Sequence, residues 1–348
     1  MILERQKGIR YGVRYSKFTN KNLYMAISNI GTFIDQEGYI GPTSCGAVSS
    51  NKKEAVLKAH SESVERRSLM IGGKAKGSYV DSFDIIKQRI SKVKKEYTSY
   101  QISYPMIVDT TGTATHFDAN QAIYNSIKEL FEKNAIFLFW YGLNGSKINV
   151  NLTSAYQDHI LNTDESYCLF LQDFFSPLKV VVCIVKCKDG SPLKYKFGVG
   201  SSLNLEEACE KAMSEAYFLG KYHENILFNA ILRKSKIKES ISIEALNHMD
   251  KIFNLPYNES SCSKKHSLGV QEGIHKIITN LPKWVKELHI VCLHQNLNNE
   301  LMVVKAISPQ LYSHIPKKEY INIKNVINKH TLNLSEEQLL KIPDCLII

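Results

Sequence analysis

Three glutamates, Glu62, Glu129 and Glu215, occupy the same place in three similar stretches of this chain. The stretches are NKKEAVLKAHSESVERR from Asn51, DANQAIYNSIKELFEKN from Asp118 and NLEEACEKAMSEAYFLG from Asn204. Laid over one another without gaps, they also align Glu54, Gln121 and Glu207, then Ala55, Ala122 and Ala208. Glu65 and Glu132 add a second carboxylate one helical turn later in the first two, and Arg66 and Lys133 follow directly. A carboxylate among apolar neighbours is costly unless it is paired or takes up a proton. Several at matched positions point to a shared charged ligand. Hard divalent cations keep clustered carboxylates ionised, and Mg²⁺ brings phosphates with it.

The elements that must position these groups are legible in the same stretches. Each opens with Asn or Asp and carries Glu or Gln three residues on, a capping box that satisfies orphan backbone donors. Gly46, Gly112 and Gly200 stand just upstream, near the ends of apolar or aromatic runs with strand character. Each unit therefore reads as strand, glycine turn, capped helix. Ala55, Ala59, Glu62 and Arg66 fall at steps of four, three and four, which makes them one stripe of a helix. Ala122, Ser126, Glu129 and Lys133 repeat that stripe, and so do Ala208, Ala212, Glu215 and Leu219. Small residues on a stripe imply close approach to another element, so the glutamates are expected to point inward with them. One such helix alone is ordinarily a solvated face; three in gap-free register call for another explanation.

These residues resemble the YcaO family, ATP-dependent enzymes that activate peptide backbone amides. KAHSESVERR is similar to the family's S-x-x-x-E-x-x-E-R helix, with Glu62, Glu65 and Arg66 in place and Lys58 where the family has serine. TGTATH followed by ELFEKN is similar to the second turn and helix. It keeps Gly112, Ala114, Glu129 and Glu132, while Lys133 and Asn134 replace arginine and aspartate. The third element keeps Gly198, Gly200, Ala208, Ala212 and Glu215, with Phe218 and Leu219 where a glutamine is expected. ELHIVCLHQNLNNELMVVKAISPQL resembles the family's late hairpin, and the likeness runs from about residue 40 to about residue 310. IFLFWY and KAISPQLYSH resemble the branch that modifies microcin-type peptides.

The resemblance implies an α+β fold, a YcaO-like mixed α/β domain with three similar strand-turn-helix units around an ATP site. It implies ATP and Mg²⁺ as cofactors, with Glu62, Glu129, Glu132 and Glu215 as metal ligands. Lys58, Glu65, Arg66 and Lys133 would then contact the nucleotide. In the azoline-forming branch a Cys, Ser or Thr side chain adds to the preceding amide. The oxyanion so formed takes the γ-phosphate of ATP, and phosphate leaves to give a thiazoline or oxazoline. The implied partners are a precursor peptide, a leader-binding (E1-like) protein and a flavin-dependent azoline dehydrogenase, in a homo- or hetero-oligomer. Two other readings stay open: a non-catalytic scaffold of the same family, and an enzyme forming thioamides or amidines. Azoline-forming members commonly end in a P-x-P-x-P tail, whose full pattern divergent members lack; this chain ends KIPDCLII with Pro343.

Composition bounds the rest. At 348 residues and 44% hydrophobic content, the chain is long enough to bury a full core. It has neither a bilayer-length apolar run nor a secretory start, which points to the cytoplasm without a membrane. The formal charge of +10 suits an acidic leader peptide or a polyphosphate. The lysines are spread, apart from KQRISKVKKEY from Lys87, and no nucleic-acid motif is present, so no nucleic acid is expected as partner. None of the eight cysteines forms C-x-x-C, and Cys262 with His266 has only a lone zinc-like spacing; reduced, structural thiols are expected. His116 lies in the second glycine turn, within reach of a phosphate or simply solvated.

Residues 80–98 read as a surface helix. KVVVCIVKCKDGSPLKYKFGVG reads as a hairpin around Asp189-Gly190, and LHIVCLHQNLNNELMVVKAI as one around Asn296 to Asn299. No linker of domain-boundary type appears, so 1–348 is expected to be a single domain, with 222–290 a helical excursion within it.

Overall fold

The computed structural model describes residues 10–14, 23–29, 44–103, 106–150, 165–188, 191, 193–232, 241–258, 268–293 and 300–347. In chain order the strands and helices begin with β1 (Arg10–Arg14), β2 (Tyr24–Asn29), β3 (Ser44–Ser49) and α1 (Lys52–Ile71). Next come β4 (Ala75–Lys76), β5 (Tyr79–Asp84), β6 (Arg89–Lys94), β7 (Gln101–Ser103), β8 (Met106–Val108), β9 (Thr113–His116) and α2 (Ala119–Gly142). They continue with β10 (Ser146–Ile148), β11 (Ser166–Gln172), β12 (Lys179–Lys186), β13 (Tyr195–Ser202), α3 (Leu205–Leu232), α4 (Ile243–Phe253) and β14 (Tyr257–Asn258). The last are α5 (Val270–Thr279), β15 (His289–Cys292), β16 (Met302–Ile307), α6 (Val326–His330) and α7 (Glu336–Lys341). This is the α+β class that the family resemblance implied. The chain groups into two compact units, one of residues 1–131, 270–274 and 283–315, the other of 132–269, 275–282 and 316–348.

The first unit contains two main sheets. One has the order β1-β2-β3, antiparallel throughout. The other runs β4-β5-β15-β16-β9, with β6 added on β5. Helix α1 packs against β2, β3 and β9. Its Ala55 and Ala59 are fully buried against Ala26, while Val64 and Leu69 join a core with Val80, Val291 and Val303. The late hairpin is present as the antiparallel pair β15–β16, with its Asn296–Asn299 turn outside the described residues.

The segment expected as a surface helix over 80–98 is instead the β5–β6 hairpin, followed by a short 3-10 turn at Lys95–Tyr97. Val80, Ser82 and Asp84 are buried and alternate with exposed Tyr79, Asp81 and Phe83, which is the period of a half-buried strand. Phe83, Ile86, Ile90 and Val93 also fit three-and-four spacing, so the apolar pattern is ambiguous until β15 pairs with β5 at Phe83 and Asp84.

The second unit is built on a five-stranded sheet in the order β13-β12-β11-β10-β14. Val180 to Val185 of β12 are all buried, as an unbroken apolar run implies. Strands β12 and β13 pair antiparallel as expected, and the Asp189-Gly190 turn lies outside the described residues, as do Cys262 and His266. The described residues of 222–290 carry the end of α3, then α4 and α5. They also contribute β14, which pairs parallel with β10. No disulfide joins the described cysteines. Burial pushes the Cys183 thiol far above its usual range. Among the described residues no helix is long and apolar enough to cross a membrane.

Helix α3 lies unusually close to β13. A Cβ added at Gly198 would meet the Ala216 nitrogen at 2.1 Å and the Ala212 oxygen at 2.2 Å. One added at Gly200 would meet the Ala208 oxygen at 2.3 Å. Gly200 and Gly46 therefore stand inside strands, not in turns as the sequence suggested. Gly200 is there because no side chain fits between the strand and the helix. Gly198→Ala is expected to lift α3 from the sheet and to destabilise the protein by about 1–3 kcal/mol, read as a lower urea midpoint.

Candidate functional site

The three repeated stretches begin as the capping pattern implied. Asn51 Oδ1 accepts from the Lys53 and Glu54 nitrogens at 2.9 and 3.2 Å. Asp118 Oδ1 accepts from Gln121 at 2.8 Å, and Asn204 Oδ1 from Glu207 at 3.0 Å. The return half differs from a direct capping box. Glu54 accepts from the Ser49 hydroxyl at 2.6 Å, and Ser49 Oγ accepts from the Asn51 nitrogen at 3.1 Å. Ser202 relays Glu207 to the Asn204 nitrogen in the same way, at 2.7 and 3.2 Å. In the second stretch His116 takes the serine's place, its Nδ1 accepting from the Asp118 nitrogen at 2.9 Å. His116 thus has a structural partner within its own turn. A sequence signal for this relay exists: Ser or His stands two residues before each cap.

Small side chains then bring each helix close to its neighbours. Ala55, Ala59, Ala122, Ser126, Ala208 and Ala212 are all fully buried. In the first and third stretches the matched glutamate meets the preceding strand. Glu62 Oε2 accepts from the Gly46 nitrogen at 2.9 Å, and Glu215 Oε2 accepts from the Val199 nitrogen. Both bonds span sixteen residues. The expectation of inward-pointing glutamates holds, and for these two a backbone donor fixes the direction. Glu62 is 28% exposed and its Oε1 pairs with Arg66 at 2.5 Å.

In the first unit several charged groups lie close together. Glu65 keeps some accessible surface, yet its carboxyl lies deep enough for burial to dominate. Burial raises its pKa well above the ordinary carboxylate range, the charges of Glu129 and Glu62 add to the rise, and Arg66 and Lys305 oppose it. Lys305, on β16, is completely buried. Its Nζ donates to the Asp109 oxygen at 2.9 Å, the Thr111 oxygen at 2.7 Å and Thr113 Oγ1 at 3.2 Å. Burial pulls its pKa down to about 8, against the charges of Asp109, Glu129 and Glu65.

The loop that receives Lys305 is shaped by two residues. Asp109 accepts from the Thr111 nitrogen at 2.7 Å and from the Ile315 nitrogen at 2.7 Å, which pins the loop at both ends. Gly112 has φ +76, and a Cβ there would meet the Ala306 oxygen at 2.6 Å; both facts call for glycine. Neither Lys305 nor Asp109 was singled out from sequence. The available signal was a lysine inside the otherwise apolar run MVVKAI.

In the second unit Glu132 and Lys133 pair at 3.5 Å with both side chains largely buried, and Asn134 is fully buried. Phe218 stacks on Tyr222 with centroids 6.4 Å apart. The IFLFWY run anchors the last described segment: Trp140 Nε1 donates to the Pro343 oxygen at 3.0 Å, and the Tyr141 hydroxyl to the Pro316 oxygen at 2.9 Å. Of the expected site residues, Glu62, Glu65, Arg66 and Glu129 are linked electrostatically in the first unit. Lys58 is not brought to them; it is 55% exposed and pairs with Glu54 at 2.7 Å.

A YcaO family model, described as a cyclodehydratase binding ATP and Mg²⁺, matches residues 95–312. No curated protein sequence matches significantly. The YcaO structure from Methanopyrus kandleri bound with AMPPCP and Mg²⁺ is 14% identical with a TM-score of 0.67, over 89% of this chain and 88% of that one. A chain of the E. coli microcin synthetase McbBCD complex is 15% identical with a TM-score of 0.67, over 98% of both. A heterocyclase in complex with substrate and cofactor is 13% identical with a TM-score of 0.70, over 94% of this chain and 53% of that one. At these identities the structures establish the fold. The family model spans well over half of the sequence, including Glu129, Glu132, Glu215 and Lys305, and by that match the chain belongs to the YcaO family of ATP- and Mg²⁺-binding cyclodehydratases.

Proposed function

We propose that this chain is the ATP-dependent heterocyclase subunit of a cytoplasmic peptide-modifying complex. It would form thiazolines or oxazolines at Cys, Ser or Thr of a ribosomally made precursor peptide. The observation that carries this reading is the crowding of Glu62 and Glu129 about Glu65, with the buried Lys305 near Glu65 and Glu129, an environment that disfavours the charged form of Glu65. That donor set fits a divalent cation: hard oxygen ligands in excess of the positive charge supplied by the protein. The metal ligands would be Glu62, Glu129, Glu132 and Glu215. Glu65, Arg66 and Lys133 would serve the nucleotide; nothing in the structure supports Lys58 in that role.

Bound Mg²⁺-ATP would supply the phosphoryl group that turns an amide oxygen into a leaving group. The chain's own residues prepare for it electrostatically. Glu62 is held by a backbone donor and by Arg66, so little reorganisation is needed on binding. Lys305, fixed by three oxygen acceptors, is a stationary cation beside Glu65 and Glu129. Similar folds occur in a microcin synthetase complex with pro-MccB17 bound and in a heterocyclase with substrate and cofactor. These support a precursor peptide and partner proteins for this chain, to which we add a leader-binding protein and an azoline dehydrogenase. Residues 1–348 would act as one YcaO-like domain.

A scaffold role is favoured by one observation: Glu132 and Glu215 already have protein partners in Lys133 and the Val199 nitrogen. Calorimetry with Mg²⁺-ATP separates the two readings, since a scaffold binds no nucleotide alone or with its partners. Mass spectrometry of the peptide separates azoline formation from thioamide or amidine formation. Each azoline removes one water from the peptide, and absence of that loss excludes cyclodehydration.

Glu62→Gln and Glu129→Gln are each expected to lower precursor-stimulated ATP hydrolysis by about 10²–10³-fold, the scale for losing one preorganised charge contact. Unchanged phosphate release would remove these residues from the site. A second outcome concerns protons. The raised pKa of Glu65 means the ligand-free protein binds a proton there that the unfolded chain releases near pH 4.5. Its contribution to stability is therefore lost as pH rises toward the folded pKa. Arrival of a cation reverses the preference, so Mg²⁺-nucleotide binding releases a proton and tightens with pH. Titration calorimetry in buffers of different ionisation enthalpy measures that release, which disappears in Glu65→Gln.

A further inference from the structure

The β5–β6 hairpin presents a face that the nucleotide chemistry does not use. Tyr79, Asp81 and Phe83 point outward from β5, and Ile90, Lys92 and Lys94 lie opposite them in the ladder. Phe83 is directly opposite Ile90, and Tyr79 opposite Lys94. Ile90 is 81% exposed, Tyr79 48% and Phe83 44%. Such a cross-strand apolar pair in water loses the stabilisation that burial would give.

Among the described residues β6 pairs only with β5, and none of them pairs with the backbone donors and acceptors of its other edge. Residues Lys87 to Lys95 contain five cations and no acid. Like charges opposite one another disfavour pairing, so this lysine-bearing edge resists a second copy of itself. It remains open to a strand of opposite charge. The face is a poor match for a phosphate backbone. Asp81 sits in its middle opposite Lys92, and Glu96 engages Lys94 at 3.3 Å, so the positive stripe that nucleic acid requires is interrupted.

We propose that the free edge of β6 receives an extended acidic segment of a partner polypeptide as an added strand. Acidic side chains lie beside Lys92 and Lys94, and an apolar side chain covers Phe83 and Ile90. Main-chain hydrogen bonds supply affinity and the alternating side chains supply selectivity, as in other strand additions. The inference is independent of the ATP reading, and its test needs no nucleotide.

The full-length protein is titrated against a fluorescein-labelled peptide that carries valine, glutamate and glutamate at successive alternate positions with threonine between them, so that one face matches Ile90, Lys92 and Lys94, followed by anisotropy. Parallel probes are the lysine-for-glutamate peptide, the acidic peptide with proline at alternate positions, and a single-stranded DNA oligonucleotide. The acidic peptide is expected to bind, and the proline peptide to bind about tenfold more weakly or not at all. Reversing charge with Lys92→Glu and Lys94→Glu is expected to shift preference to the lysine peptide. Ile90→Ser, which leaves the charges alone, is expected to weaken acidic-peptide binding several-fold and serves if the double variant fails to fold. Equal binding of the proline peptide overturns strand addition. Displacement of the peptide by DNA at lower concentration overturns the choice of partner, and failure of the acidic peptide to bind overturns the proposal.

Discussion

The site rests on how near a helix can come to the strand before it. In the first and third repeats a glutamate reaches a strand nitrogen sixteen residues upstream, at Gly46 and at Val199. That reach exists only because alanine and glycine separate the two elements. Ala208, Ala212 and Ala216 lie where any side chain at Gly198 or Gly200 would collide. A hydrogen bond to a charged acceptor contributes about 1.5–3 kcal/mol, enough to select one orientation for the carboxylate. The other oxygen is left for a second partner, which in Glu62 is Arg66. The stripe of small residues and the glutamate within it are therefore one device: the first sets the distance, the second uses it.

Charge crowding follows from placing two such helices in one unit. Glu65 lies near Glu62 and Glu129, and each negative charge raises the free energy of the others. The protein answers with Arg66 and a buried lysine, and these do not fully compensate, since burial disfavours Glu65 and Lys305 alike in their charged forms. A site left in this condition is poised toward an incoming cation. Its carboxylates are positioned before the ligand arrives, and the cost of holding them together appears in the raised pKa of Glu65.

Local relations were legible in the sequence and tertiary ones were not. The helix starts, their caps and the inward stripe depend on residues three or four apart, so Asn51, Asp118 and Asn204 mark them without further information. Likeness to the family added the roles of the glutamates. The serine relay through Ser49 and Ser202 is equally local and could have been read from the Ser-x-Asn spacing. The β5–β6 hairpin was misread because Phe83, Ile86, Ile90 and Val93 satisfy both periods, and pairing with a strand some two hundred residues later decides between them. Lys305 was missed for the same reason. On β16 it is one polar residue in an apolar strand, and its three acceptors come from a loop about 190 residues earlier.

The second repeat departs from the other two at the point where Lys305 enters. The position matching Gly46 and Val199 is Thr113, which lies opposite Lys305 in the β9–β16 ladder. Its nitrogen donates to the Thr110 oxygen at 3.0 Å, closing the turn that Gly112 makes possible. Its hydroxyl accepts from Lys305 instead. Where the first and third arms hold their glutamates with a backbone dipole, the second sets a full positive charge within electrostatic range of Glu129. A lysine responds to ligand charge in a way a peptide N–H cannot, because burial leaves its protonation open to change near pH 8. The repeat thus yields two arms whose glutamates meet a backbone donor and one whose glutamate lies near a buried lysine.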